Sequence, residues 1–174
     1  MPIDAKAKLI EAVQRLLRED AGLLARDLNE RTLTHRLAVH MDPLFKNVEG
    51  ESWDVDCEYN RNRYEAKRLR IQGRERARPT DDEDDKGTTV YTDIIVHERD
   101  SNERNLLVVE AKKTTNRLGH DIDLAKLAAF RLAPFRYPLA AFLRLNTARG
   151  GARWAELTLV TDEGRGAAER IYRD

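Results

Sequence analysis

The chain has 174 residues, of which 41% are hydrophobic and 36% charged, and its formal net charge is zero. This length suits one compact core, so we expect residues 1–174 to form a single domain, and the balanced charge by itself predicts no partner. One cysteine, Cys57, excludes an internal disulfide, and one cysteine with four histidines excludes a zinc cluster. No stretch approaches the roughly 18 apolar residues of a membrane helix, and the N-terminus lacks the apolar core of a signal peptide. We therefore expect a cytoplasmic protein without membrane contact.

Apolar residues at helical spacing predict two N-terminal helices. The first is expected to end near Gly22, and its apolar face consists of Leu9, Ile10, Val13, Leu16 and Leu17. The second is expected to begin after Asn29 as its N-cap and to stop at Pro43. Its apolar face consists of Leu33, Leu37 and Met41. Glu30 borders that face, either as part of a site or as a first-turn acid favoured by the helix dipole.

Residues 53–59 alternate between apolar and polar side chains, which predicts a strand with one solvated face. The acidic residues of that face form a rival carboxylate cluster, although solvation is their more common role: Asp54, Asp56 and Glu58. Residues 61–86 lose this periodicity and pass from basic into acidic sequence, so we expect a long mobile connection. Its arginines either contact nucleic-acid phosphates or are neutralised by the acidic run, and they include Arg68, Arg70, Arg74 and Arg76.

Two apolar runs, 90–96 and 106–109, predict a β-hairpin. If the hairpin turns symmetrically about residues 101 and 102, paired residues have numbers that sum to 203, and Asp93 lies opposite Glu110. Opposed residues have Cβ atoms roughly 4.5 to 5.5 Å apart, close enough for two carboxylates to share a divalent cation. Lys112 follows Glu110 by two residues, so both side chains lie on the same face of the strand.

The remaining sequence predicts a helix at 121–132, strands at 140–145 and 157–161, and a last helix at 166–172. Asp123 and Lys126 open the first of these helices, where capping is their expected role, with phosphate contact as an alternative for Lys126. His97 continues the period-two pattern from Asp93, and it either lines the same site or is a structural histidine.

Residues 92–97 (Thr-Asp-Ile-Ile-Val-His) and 105–112 (Asn-Leu-Leu-Val-Val-Glu-Ala-Lys) resemble the signature of the PD-(D/E)XK nuclease superfamily. The resemblance implies a restriction-endonuclease-like α/β fold, with a mixed central β-sheet flanked by helices, and with helices at the N-terminus. It implies Mg²⁺ or Mn²⁺ held by Asp93 and Glu110, a water-activating role for Lys112 and an accessory role for Glu30. The chain departs from the pattern at Thr92, where the family has proline.

A second Glu-x-Lys tripeptide, residues 65–67, lies in the charged stretch without an apolar run, and we interpret it as a chance match. The sequence thus predicts a metal-dependent nuclease that hydrolyses phosphodiester bonds of nucleic acid, with DNA as the expected substrate. Two alternatives stay open. The chain could be a non-catalytic nucleic-acid-binding or regulatory module that retains the nuclease fold, or a homodimer or subunit of a larger complex whose activity is latent.

Overall fold

The computed structural model describes residues 3–48, 50–59, 91–101, 103–116 and 119–173, together with the backbone of four two-residue strands between residues 61 and 89. The helices are α1 (Ala5–Glu19), α2 (Ala21–Ala25), α3 (Glu30–Phe45) and α4 (Asp121–Arg131). The strands are β1 (Asp54–Cys57), β2 (Arg61–Asn62), β3 (Glu65–Ala66), β4 (Arg68–Leu69), β5 (Thr88–Thr89), β6 (Ile94–His97), β7 (Asn105–Lys113), β8 (Leu139–Leu145), β9 (Trp154–Thr161) and β10 (Gly164–Tyr172).

Six strands form one mixed sheet in the order β1-β6-β7-β8-β9-β10. The β7–β8 pair is parallel and the other four pairs are antiparallel. A parallel pair needs a crossover connection, and α4 supplies it. The architecture is therefore α/β, with a six-stranded mixed sheet flanked by helices.

The sheet separates two apolar clusters. On one face, α1 and α3 pack on alternate residues of the central strands, among them Ile94, Val109 and Leu143. On the other face, Leu127 and Phe130 of α4 pack on the intervening residues. We call this second surface of the sheet the α4 face. Because both faces of β6 to β8 are covered over most of their length, these strands are mostly apolar, and a buried charged side chain among them is unusual.

The β6–β7 hairpin has the predicted register. Its pairs Ile94↔Val109, Ile95↔Val108 and Val96↔Leu107 all have numbers that sum to 203. The register shifts between Val96 and His97, where His97 pairs with Asn105 instead. The shift lies at the turn end of the hairpin, so the pairing stays regular toward Asp93.

The two N-terminal helices are confirmed, with different ends. The first ends at Glu19, and Gly22 lies inside the short helix α2 that follows. In α3 the side chain of Asn29 accepts a hydrogen bond from the Thr32 N–H at 2.8 Å, as expected of an N-cap. The prediction that α3 stops at Pro43 is wrong, because the helix continues to Phe45. Proline removes one donor in the last turn, and burial of Phe45 favours the extra residues.

The predicted helix at 166–172 is wrong, because these residues belong to β10, an edge strand paired with β9. A two-residue turn at 162–163 precedes Gly164, whose φ of +109° suits glycine. Only Ile171 is buried in this strand. Alanine, glutamate and arginine favour a helix locally, and pairing with β9 overrides that preference.

The charged connection contains two short pairings, β2 with β3 and β4 with β5. The rest of residues 60–90, on which the predicted mobile connection falls, lies outside the described residues. None of the described helices is both long and apolar enough to cross a lipid bilayer.

Candidate active site

Asp93 lies directly before β6, where two neighbouring strands hold its backbone and side chain. Its carbonyl accepts a hydrogen bond from the Glu58 N–H at 3.2 Å, next to the end of β1. Its Oδ2 accepts a hydrogen bond from the Ala111 N–H of β7 at 2.8 Å. Burial raises the pKa of Asp93, and the hydrogen bond from Ala111 acts in the opposite direction. The carboxylate is thereby fixed beside the strand segment that carries Glu110 and Lys112.

Glu110 is a carboxylate buried in the α4 face. Glu110 is 1% exposed and pairs in register with Phe142 of β8. Its Oε1 lies 2.7 Å from the Nζ of Lys126, which projects from α4. Burial and the nearby charge of Asp93 raise the pKa of Glu110 to about 8, although Lys126 lowers it. The ionised form of Glu110 is therefore costly without a further cation.

Lys112 lies between two carboxylates from different helices. Its Nζ is 3.6 Å from Asp123 Oδ2 of α4 and 3.7 Å from Glu30 Oε2 of α3. Burial lowers the pKa of Lys112, but Asp123 and Glu30 outweigh burial, so the pKa lies above the usual lysine value. The side chain is consequently a cation and a hydrogen-bond donor at neutral pH.

Glu30 reaches this group from the opposite layer of the fold. The cap at Asn29 starts α3 beside the carboxyl end of β7, and this places Glu30 against the chain that follows the strand. Glu30 Oε1 accepts hydrogen bonds from the Lys113 N–H at 3.0 Å and from Asn116 Nδ2 at 2.8 Å. The position of Glu30 is thus set by the backbone as well as by Lys112.

An open cleft lies next to Glu30. Its volume is about 340 Å³, and its lining consists of Asp27, Asn29, Glu30, Lys113, Thr115 and Asn116. Asp27 has a φ of 52° and accepts hydrogen bonds from Lys113 and Thr115, which lower the pKa of its carboxyl to about 2. The cleft therefore leaves space for a small group next to the carboxylate of Glu30.

Asp123 and Lys126 also lie in the candidate site, although the sequence predicted a capping role for both. The N-cap of α4 is His120, whose side chain makes no capping hydrogen bond, so the capping prediction is wrong. Lys126 Nζ instead contacts Glu110 and the carbonyl of Tyr91, the latter at 2.9 Å. The signal available in the sequence was the spacing of three residues, which places both side chains on one face of a helix.

The site contains four carboxylates and two ammonium groups, and this composition determines which cofactor it suits. The carboxylates belong to Glu30, Asp93, Glu110 and Asp123. Their excess negative charge and hard oxygen atoms suit Mg²⁺, which often binds through only one or two protein carboxylates. Among the described residues, no group of three or more His, Cys, Asp or Glu side chains is arranged as a metal site. Asp93 and Glu110 supply two carboxylates, the kind and number of protein ligands that Mg²⁺ often takes.

The rival carboxylates of residues 54–58 contact other side chains. Asp56 binds Arg99 through two contacts of 2.6 and 2.8 Å and lies 3.0 Å from His97 Nε2. Glu58 pairs with Arg31 at 2.7 Å. His97 is 1% exposed, and its ring also packs edge-on against Tyr59. It is a structural histidine at the far end of β6 and does not line the candidate site.

The predicted phosphate-binding arginines of the connection, Arg70, Arg74 and Arg76, lie outside the described residues, as does the side chain of Arg68. The contact of Lys126 with a phosphate also stays a prediction. Comparison of the chain with protein-family models, with curated proteins and with solved structures finds no match.

Proposed function

We propose that the chain is a Mg²⁺-dependent nuclease that hydrolyses phosphodiester bonds of nucleic acid, with DNA as its substrate. The observation that carries the proposal is the convergence of Asp93, Glu110 and Lys112 at one end of the β6–β7 hairpin. Two like charges placed together normally destabilise a strand pair, so their presence in a covered part of the sheet points to a bound cation.

Asp93 and Glu110 would hold the metal ion. When bound, Mg²⁺ supplies electrostatic stabilisation to the phosphoryl oxygens and lowers the pKa of a coordinated water. Lys112, which is protonated, donates a hydrogen bond that orients the attacking water or a phosphate oxygen. Asp123 and Glu30 hold the ammonium group of Lys112 in place from two helices. Lys126 adds a second positive charge beside Glu110.

The order of elements also supports the proposal. The resemblance to the PD-(D/E)XK superfamily implies a core in the order helix, strand, strand, strand, helix, strand. The chain has α3, then β1, β6 and β7 as antiparallel neighbours, then α4 and the parallel β8. Fold similarity alone does not establish an activity, so the test has to address the site itself.

The test is cleavage of single-stranded, double-stranded and branched DNA and RNA in Mg²⁺, Mn²⁺ or EDTA. We expect cleavage only with metal, and loss of at least 100-fold in rate for Asp93→Ala, Glu110→Ala and Lys112→Ala, as for removal of a main electrostatic or proton-transfer group. The chance tripeptide supplies matched controls, Glu65→Ala and Lys67→Ala, which should cleave like the parent. Equal cleavage by the parent and Glu110→Ala would reject this site.

A non-catalytic nucleic-acid-binding or regulatory module is the second candidate, and one observation favours it. The protein itself neutralises the central charges, because Lys126 pairs with Glu110 and two carboxylates flank Lys112. Binding of nucleic acid without cleavage under every metal condition would support this alternative over the nuclease.

A further inference from the structure

The α4 face continues beyond the candidate site as a row of charged side chains across four strands. Lys112 of β7 is in register with Arg144 of β8, Arg144 with Glu156 of β9, and Glu156 with Arg170 of β10. Residues in register on neighbouring strands share a face, so the row begins at a residue of the candidate site. With neighbouring strands roughly 4.8 Å apart, the row extends about 14 Å from β7 to β10.

Two aromatic residues lie one step farther along β9 and β10. Trp154 pairs with Tyr172, and the guanidinium of Arg170 lies 4.3 Å from the centre of the Trp154 ring. Tyr172 is 53% exposed, and the side chain of Arg170 is 50% exposed. We call Arg144, Trp154, Arg170 and Tyr172 the basic sheet surface.

The net charge of this surface is positive. Glu156 is the one acidic member of the row, and it lies 3.4 Å from Arg144 and 3.6 Å from Arg170. One carboxylate therefore offsets the charge of two guanidinium groups, and a net positive charge remains. The loop from β8 to β9, residues 146–153, contains Arg149 and Arg153 and no acidic residue. It leaves β8 directly after the row.

Guanidinium groups beside partly exposed aromatic rings suit a ligand with both phosphates and unpaired bases. Arginine binds phosphate oxygens, and an aromatic ring stacks on an unpaired base. A duplex keeps its bases stacked inside, so a flat surface with accessible rings suits a single strand better. The width of the row corresponds to a few nucleotides.

We propose that the basic sheet surface binds single-stranded nucleic acid, with Arg144 and Arg170 at phosphates and Trp154 and Tyr172 stacked on bases. The strand then leads along the row to Lys112. That second step rests on the proposed nuclease function, whereas binding at the surface does not. The expected substrate is therefore a nucleic acid that is single-stranded where it contacts the basic sheet surface.

Fluorescence tests the contact directly, because the chain has only two tryptophans. In a Trp53→Phe background, Trp154 is the only tryptophan, and we expect its emission under tryptophan-selective excitation to be quenched when a single-stranded oligonucleotide is added in EDTA. The Trp154→Phe protein, in which Trp53 is the only tryptophan, should show no quenching under the same excitation and should still bind. Trp154→Ala should weaken binding roughly 5- to 150-fold, the range for loss of one stacked base.

The phosphate contacts have their own readout. Arg144→Gln and Arg170→Gln should each reduce the salt dependence of binding by about 0.7 of a log unit, the value for one phosphate contact on a single strand. Arg15→Gln is the matched control, since Arg15 lies on α1, which packs against the opposite face of the sheet, and there pairs with Glu11. It should leave the salt dependence unchanged.

The outcomes separate this proposal from the nuclease proposal. If an oligonucleotide binds while Trp154 emission and the salt slopes stay unchanged, or if duplex binds more tightly than single strand, the surface assignment is wrong. Cleavage in Mg²⁺ is scored independently. Quenching by a single strand without any cleavage would support the surface proposal and reject the nuclease proposal. If proteins with the surface substitutions bind nucleic acid with the affinity of the parent and cleave it, the nuclease proposal is supported and the surface proposal is wrong.

Discussion

Replacing Glu110 by glutamine keeps the shape of the side chain and removes its charge. Glu110 is 1% exposed, and burial together with Asp93 raises its pKa from 4.5 to about 8. Between those pH values the folded protein holds a proton that the unfolded chain releases. The free energy of unfolding therefore falls as pH rises through this window, because the unfolded state binds fewer protons than the folded state.

The full difference between pKa values of 4.5 and about 8 corresponds to about 5 kcal/mol of unfolding free energy. Over the accessible range from pH 6 to 9, about 3 kcal/mol of this is lost in the parent. For a chain of 174 residues, that is a decrease in melting temperature of roughly 6 to 12 °C. Glu110→Gln lacks the titrating carboxyl group, so its melting temperature should fall less than that of the parent as pH rises and should exceed it at high pH.

Thermal melts of both proteins in EDTA at pH 6, 7, 8 and 9 measure the effect. Other groups that titrate in this range are common to the two proteins, so the difference between them isolates Glu110. Glu98→Gln is the matched control, because it makes the same chemical change at an exposed ion pair with Arg104. A difference between parent and Glu110→Gln that stays constant from pH 6 to 9 would refute the reasoning. Added Mg²⁺ should stabilise the parent most at high pH, where the carboxylate is ionised.

Three further experiments test the site and its supports. In EDTA, Asp93→Asn should be as stable as the parent or more stable by up to about 1 kcal/mol, since burial disfavours the charged form of Asp93. Millimolar Mg²⁺ should raise the melting temperature of the parent more than that of Asp93→Asn, and equal shifts would exclude Asp93 as a ligand. Asn29→Ala removes the cap bond to Thr32 and should cost about 1 kcal/mol in denaturant unfolding, while Asn29→Ser should retain most of it. Leu37→Ala, at a fully buried position, should cost about 2 to 5 kcal/mol, against less than about 0.5 for Val39→Ala, which is 43% exposed on the same helix.

The hairpin register could be derived from the sequence because two constraints agree there. Alternating burial fixes which residues face each layer, and a one-residue slip would turn every side chain to the wrong face. The polar segment between the two runs then fixes the centre of the turn. The shift at His97 could not be derived from the hairpin sequence, and His97 contacts Asp56, a residue 41 positions earlier in the chain, which a local pattern does not indicate.

The C-terminal strand shows where local reasoning fails. Residues 166–172 contain good helix formers, and β10 has one buried position, so neither periodicity nor composition indicates a strand. Its pairing is determined by β9, which offers a free edge, and by the turn before Gly164. The basic sheet surface depends on this pairing, since Arg170 and Tyr172 reach the α4 face only in a strand. The basic sheet surface therefore could not be predicted from a sequence interpretation that makes this segment a helix.

The contribution of α4 to the candidate site follows from the direction of the crossover. Because β8 runs parallel to β7, the connecting helix must return antiparallel to both strands, and its first turn lies at the carboxyl end of β7. That end carries Lys112, so the residues of α4 that reach it are the early ones, Asp123 and Lys126. Had β8 paired antiparallel, it would begin at the end of the sheet where β7 stops, and no crossover helix would be needed to reach it. The site therefore depends on β7–β8 pairing as much as on the hairpin, and a sequence motif confined to residues 92–112 specifies only half of it.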